Sequence, residues 1–374
     1  METKTLKLDN QANPDNAIKT GIELLAKGQV VAFPTETVYG VAARADIDRG
    51  WDSLTAVKQR PLNKPFTSHV GQIKEIYQLV PLLSERHKLF IKKTLPGPLT
   101  IVFELNDKQI VAIKEKISEK LFNRLYFNNS IGIRLPGDKV ARTLLSQAGG
   151  PIVASSANSA GMAPAYTAEQ TADYLNEKIS LILDNGPSRI QKPSTVVKIS
   201  NNDIEIIREG IIDKRMINKA LEIKILFVCT GNTCRSPMAE GFGRSMIAKK
   251  IDCSIDQLHK KGYHIGSAGV MAIDGYPASS EAVLACKSFS VDINNHRSRL
   301  LSEDMIKDAD YILAMSPGHY RSIVSLVPNA AEKTELLAPE GVDDPFGRAQ
   351  NVYDSCARQI NNAVEKFVNK LGLD

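Results

Sequence analysis

The chain of 374 residues is predicted to hold two α/β domains. A mixed, twisted sheet domain is expected over residues 1–213, a linker over 214–221, and a doubly wound parallel-sheet domain over 222–374. Three observations carry this. The length suits two domains of roughly 100–200 residues. Short apolar, β-rich runs alternate with helical patterns along the chain. After the polar segment Asp213–Glu222 the pattern restarts, as IKILFV leads through a glycine-containing loop into a helix.

The elements follow in order. Ile18, Ile22 and Leu25 share one face of a helix over 15–28, and Gly28 is a natural stop. QVVAFP reads as a buried strand, followed by a polar turn at Thr35–Thr37 and a helix near 50–59. Strands are then expected at FTSHV, LTIVFEL, SIGIRLP, PIVAS, SLILD, STVVKIS and DIEIIRE. The late strands crowd together, so this sheet should be mixed. DKRMINKALE reads as a linker or short helix. Beyond it come the strand IKILFV, a helix from about Ser236, strands at YHIGSAG and ADYILAM, and a closing helix near 351–370.

Composition narrows the class. With 43% hydrophobic and 24% charged residues, wholesale disorder is excluded. No apolar run reaches the roughly 18 residues of a membrane span, and the start lacks a signal-peptide layout. A soluble cytoplasmic protein without membrane partners is expected. The five cysteines all lie beyond residue 228, and an odd count argues against a disulfide framework. The two halves should therefore run on different chemistry. Residues 51–150 hold 16 Lys+Arg against 8 Asp+Glu, a balance that suits an anionic partner such as nucleotide or RNA.

In the second half the strongest motif is Cys229-Thr230-Gly231-Asn232-Thr233-Cys234-Arg235-Ser236. Between a strand and a helix, its backbone N–H groups and the helix N-terminus form an anion cradle. Gly231 is expected where a side chain would clash. Arg235 offers a planar fork to phosphate oxygens. Such surroundings lower a cysteine pKa to roughly 3.5–7.5, so Cys229 is expected to attack as thiolate. Ser236 is expected to donate to that thiolate. Asp344, in Val-Asp-Asp-Pro-Phe-Gly, is the candidate acid for the leaving group, although Asp-Pro is also ordinary turn chemistry.

FVCTGNTCRSPMAEG, with SAG, HRSR, ADYILAM and DPFG behind it, resembles the low-molecular-weight protein phosphatase family over about 222–374. The resemblance implies Cys229 as nucleophile, Arg235 as phosphate ligand, Asp344 rather than Asp343 as general acid, and no cofactor. Thr230, Gly231, Asn232, Thr233, Cys234 and Ser236 would complete the phosphate-binding loop. It also implies a protective disulfide between Cys234 and Cys229; a small packing residue is the other reading of Cys234. Cys253, Cys286 and Cys356 carry no assigned chemistry. Related arsenate reductases use a downstream cysteine pair close in sequence, and no such pair follows here. Thr233 resembles the bacterial protein-arginine phosphatase subgroup, which favours phosphoarginine over phosphotyrosine on a phosphoprotein. Phe346 suits stacking on either.

In the first half the pieces are Pro34-Thr-Glu-Thr-Val-Tyr-Gly40, Lys58-Gln-Arg60, Ile133-Arg134-Leu-Pro136, Ser155-Ser-Ala-Asn158, Pro193-Ser194-Thr and Ile207-Arg208-Glu-Gly210. Together they resemble the YrdC-type threonylcarbamoyl-AMP synthase family over about 12–212. That implies L-threonine, bicarbonate and ATP as substrates, Mg²⁺ with the ATP, and a product for the tRNA-modification machinery. Such chemistry needs positioning and charge neutralisation more than a nucleophile. Lys58 and Arg60 are the expected cations for the triphosphate. Ser156, Asn158, Ser194 and Arg208 are expected nucleotide contacts. Thr35, His69 and Arg134 are expected around threonine. No compact metal-ligand motif appears. Two readings of another class stay open: a non-catalytic RNA-binding first half that holds tRNA, and a phosphoprotein-binding adaptor in the second.

Overall fold

The computed structural model describes residues 2–8, 14–59, 65–159, 161–200 and 203–373. It divides into two compact units, one of residues 1–83 and 90–217, the other of 218–374 with 84–89.

The first unit is built on a ten-stranded sheet among the described residues. Its strands are β1 (Lys4–Lys7), β2 (Val31–Phe33), β3 (Gly40–Arg44), β4 (Thr67–His69), β5 (Leu99–Glu104), β6 (Ser130–Arg134), β7 (Ile152–Ser156), β8 (Leu181–Asp184), β9 (Thr195–Ser200) and β10 (Asp203–Arg208). They lie in the order β1-β8-β2-β3-β7-β4-β6-β5-β9-β10. β4 runs parallel to β6 and antiparallel to β7, and β5 parallel to β9 and antiparallel to β6, so the sheet is mixed. On one face Leu25, Val31, Phe33, Leu144, Ile152 and Leu181 form a core.

β1 and β3 were not expected. KTLK is short and mostly exposed. GVAAR has weak strand propensity, yet β3 is sandwiched between β2 and β7 and almost wholly buried. Placement in the sheet centre overrides local preference there.

In the second unit β11 (Ile223–Cys229), β12 (Tyr263–Gly269), β13 (Tyr311–Ala314) and β14 (Thr334–Leu336) are all parallel, in the order β12-β11-β13-β14. Ile223, Ile225 and Phe227 enter one core, while Leu226 and Val228 enter another. Strand alternation thus feeds a core on each face, as a covered parallel sheet requires. The chain leaves β11 first to one side and then to the other, so the loop after β11 sits at a switch point, where α/β sheets bind ligands.

The segment expected as a linker or short helix is the helix Lys214–Leu221. Asp213 Oδ1 accepts from Met216 N at 2.8 Å, and Ile217 is buried. No described helix is long and apolar enough to cross a membrane.

Candidate active sites

Cys229 is the last residue of β11, and the helix Arg235–Lys250 begins six residues later. Ser236 Oγ lies 2.9 Å from the Cys229 sulfur, and Asn232 N donates to that sulfur at 3.2 Å. Asn232 holds the loop in shape. Its φ is 54°, in the left-handed region. Its Nδ2 donates to Ser236 Oγ and Ser267 Oγ, both at 2.8 Å, and its Oδ1 accepts from Arg299 N at 2.8 Å. Ser267 Oγ donates to Glu240 at 2.7 Å, and the Asn232 carbonyl lies 2.8 Å from His296 Nε2.

The turn is therefore made by Asn232 and not, as expected, by Gly231. Among the described residues a Cβ at Gly231 would meet only Thr233 Oγ1, at an ordinary 3.6 Å. The glycine the loop does need is Gly269, where a Cβ would stand 2.5 Å from the Thr230 carbonyl and 2.8 Å from Asn232 N.

Arg235 Nη2 pairs with Asp344, and Nη1 donates to the Val342 carbonyl at 3.2 Å. The arginine side chain is buried, whereas Asp344 is 52% exposed. The Asp343 backbone N–H donates to Gln359 Oε1 at 3.4 Å. Phe346 stands 75% exposed beyond Asp344.

Burial pushes the Cys229 thiol above its ordinary pKa, against the expected lowering. The sulfur has left water, and a thiolate there lacks solvation. Opposing this are the Ser236 hydroxyl and N–H, the Asn232 N–H and the Arg235 guanidinium. Cys229 and Cys234 are both free thiols, and Cys234 Sγ lies 3.4 Å from Tyr353 OH and 3.5 Å from Ser279 Oγ. Thr230 Oγ1 lies 2.9 Å from His319 Nε2, and Thr233 Oγ1 3.6 Å from Cys234 Sγ.

In the first unit the candidates fall into two groups. Lys58, buried at the end of the helix Asp48–Lys58, donates to the Ser156 carbonyl at 2.8 Å and also to that of Asn158. Ser156 Oγ donates to Asn158 Oδ1, and Asn158 Nδ2 donates to Met162 O at 2.7 Å. Arg60 lies outside the described residues.

The second group centres on Arg134, at the end of β6. Its Nη2 donates to Glu36 at 3.0 Å, to Thr35 Oγ1 at 3.3 Å and to Thr37 Oγ1. Both ion-pair partners are more than nine-tenths buried. The other Glu36 oxygen accepts from Gly137 N at 2.9 Å and Asp138 N at 3.3 Å. The polar turn Thr35–Thr37 is thus buried. Arg134 Nε is buried with no hydrogen-bond partner among the described residues.

Arg208 donates to the Ser194 carbonyl at 2.8 Å and to Ser194 Oγ at 3.3 Å, and Thr100 Oγ1 lies 3.0 Å from that hydroxyl. Burial, and then the nearby Arg134, lower the Arg208 pKa. His69, opposite Arg134 across β4 and β6, places Nδ1 3.0 Å from the Thr67 carbonyl. Burial, reinforced by Arg134, depresses its pKa to about 3, so the ring is neutral. Arg134 and Arg208 are close enough to repel, and the Glu36 carboxylate is paired with Arg134; such a surplus of positive charge suits an anion.

Sequence reading missed Glu36, Tyr353, Glu240 and His319. Glu36 lay inside a quoted motif, but nothing in one sequence pairs it with Arg134, 98 residues on.

Residues 23–210 match the Sua5, YciO and YrdC family model, described as telomere recombination. Residues 224–374 match the low molecular weight phosphotyrosine protein phosphatase model. The threonylcarbamoyl-AMP synthase of Bacillus subtilis (strain 168) is 30% identical over 213 residues, 57% of this chain and 59% of its own. The chain thus spans less than two thirds of that relative. The protein-arginine-phosphatase of Geobacillus stearothermophilus is 35% identical over 154 residues, 40% of this chain and 95% of its own. A structure of P. abyssi Sua5 is similar in fold, with TM-score 0.50 and 21% identity over 89% of this chain and 98% of that one. The chain therefore belongs to the Sua5, YciO and YrdC family through residues 23–210 and to the low molecular weight phosphotyrosine protein phosphatase family through residues 224–374.

Proposed function

We propose that the chain is a bifunctional enzyme. Its first domain, residues 1–213, joins L-threonine, bicarbonate and ATP into threonylcarbamoyl-AMP for tRNA modification. Its second, residues 222–374, removes phosphate from protein side chains, phosphoarginine before phosphotyrosine. The relatives' names support both activities. Work on ATP and tRNA suits a cytoplasmic protein.

The observation that carries the phosphatase reading is the convergence of Cys229, Ser236, Asn232, Arg235 and Asp344 around one loop. The Cys229 thiolate attacks phosphorus, forming the S–P bond as the P–N bond of phosphoarginine, or the P–O bond of phosphotyrosine, breaks. Asp344 gives its proton to the leaving nitrogen or oxygen. Water, deprotonated by the same carboxylate, then attacks the cysteinyl phosphate, releasing phosphate and restoring the thiolate. Arg235 leaves Asp344 for the equatorial oxygens, so arrival of substrate frees the acid.

In the first domain the threonine amine and bicarbonate lose water to form a carbamate, whose oxygen then attacks the α-phosphorus of ATP as pyrophosphate departs. Arg134, with its unused Nε, and Thr35 hold the amino acid; neutral His69 flanks them. Lys58, Arg60, Ser156, Asn158, Ser194 and Arg208 hold the nucleotide. Among the described residues no three His, Cys, Asp or Glu gather into a metal cage. Magnesium would enter on the phosphates of ATP, whose charge it offsets.

Each domain has a direct test. Pyrophosphate release must require both threonine and bicarbonate; none released leaves the RNA-binding reading. Matched phosphoarginine and phosphotyrosine peptides decide the other specificity, and a strong tyrosine preference reverses the proposed order of substrates. Retained turnover in Cys229→Ser would remove the nucleophile.

A further inference from the structure

Behind the loop residue that follows the nucleophile lies a buried imidazole. His319 is in the first turn of the helix Pro317–Leu326 and is 6% exposed. Its Nε2 is 2.9 Å from Thr230 Oγ1, and its Nδ1 is 2.9 Å from Ser316 Oγ. Ser316 also caps the helix, accepting from the His319 backbone N–H at 3.4 Å.

Two hydroxyls and one neutral ring share three protons across two contacts, so one proton is spare. If Ser316 donates to Nδ1, then Nε2–H donates to Thr230 Oγ1, and the spare proton is on Thr230. Thr230 is exposed at the loop, where an anion would arrive. The reverse arrangement leaves the spare proton on half-buried Ser316, whose hydroxyl has no other hydrogen-bond partner among the described residues. Satisfaction of polar groups favours the first. Arg235 and Asp344 are the charged groups that face the ring, and burial with Arg235 holds its pKa down at about 4. The ring is therefore neutral near pH 7.

We infer that His319, held by Ser316, is a positioning residue that makes the Thr230 hydroxyl a donor to the phosphate oxygens in the loop. The inference rests on the phosphatase reading of that loop. It gives the second loop position a polar role that an aliphatic residue there would lack.

The test uses the full chain, aryl phosphate turnover and inhibition by inorganic phosphate. Thr230→Val, Thr230→Ser, His319→Ala and the Val/Ala double variant are compared with wild type. Thr230→Val and His319→Ala should each lower kcat/KM, and weaken phosphate inhibition, by about 10- to 100-fold, the loss of one hydrogen bond to a charged group. Thr230→Ser should keep most activity. The double variant should fall no further than Thr230→Val, since His319 acts through that hydroxyl. The pH profile of His319→Ala should keep the wild-type inflections.

Wild-type behaviour in Thr230→Val overturns the inference even if His319→Ala does not fold. So do additive losses in the double variant, or an inflection near neutral pH that vanishes with the ring. A wild-type chain without turnover overturns the phosphatase reading and this inference with it; turnover with additive losses overturns the inference alone.

Discussion

Replacing Asp344 with asparagine should move two measurements in opposite directions. Asparagine cannot give a proton to the leaving group, so kcat should fall by about 100- to 10,000-fold, the usual worth of a positioned acid. The loss should be greatest on poor leaving groups. Phosphate binding should tighten, because Asp344 occupies Arg235 in the resting loop. Asp344 is 52% exposed, so the pair is discounted to about 0.2–1 kcal/mol. That corresponds to about 1.4- to 5-fold, since 1.4 kcal/mol is tenfold. Steady-state turnover of the full chain, with inorganic phosphate as competitive inhibitor, reads both quantities. Weaker phosphate inhibition in Asp344→Asn would refute the carboxylate as competitor for Arg235, and unchanged kcat would refute it as the acid.

Three further outcomes follow from geometry. Glu36→Gln breaks a buried ion pair and should lower the stability of the first domain by about 3–5 kcal/mol, read in urea unfolding, and abolish threonine-dependent pyrophosphate release. Asn232→Ala removes three side-chain hydrogen bonds from a left-handed loop residue. Thiolate trapping by iodoacetate at Cys229 should slow while the fold persists by circular dichroism; an unchanged rate contradicts the role assigned to Asn232. His69 has a folded pKa of about 3 against about 6.5 unfolded, so the unfolded chain takes up a proton first as pH falls. Its contribution is intact above about pH 6.5 and is lost toward pH 3, at no more than about 1.4 kcal/mol per pH unit. His69→Asn should flatten that limb of the stability profile.

Residues that act through sequence-local chemistry were legible before the structure. The Cys229–Ser236 loop needs strand, turn and helix in one stretch, and each is written in adjacent residues. Strand β11 announced itself by its β-branched run. What stayed hidden depends on distance along the chain. Glu36 meets Arg134 across 98 residues, Thr230 meets His319 across 89, and Cys234 meets Tyr353 across 119. β3 stayed hidden because small residues such as Ala42 and Ala43 carry little strand preference of their own. The Cys229 motif displays the donors around the sulfur but not the extent to which the packed core withdraws water from it.

Three of the cations assigned to phosphate or carboxylate already have internal partners. Arg235 is on Asp344, Lys58 is on two carbonyls, and Arg134 is on Glu36. A ligand entering either site therefore exchanges one partner for another and does not strip salt anions from bare charge. Affinity at such a site should respond less to ionic strength than at a bare cation, because carboxylates and carbonyls of the protein already hold these charges.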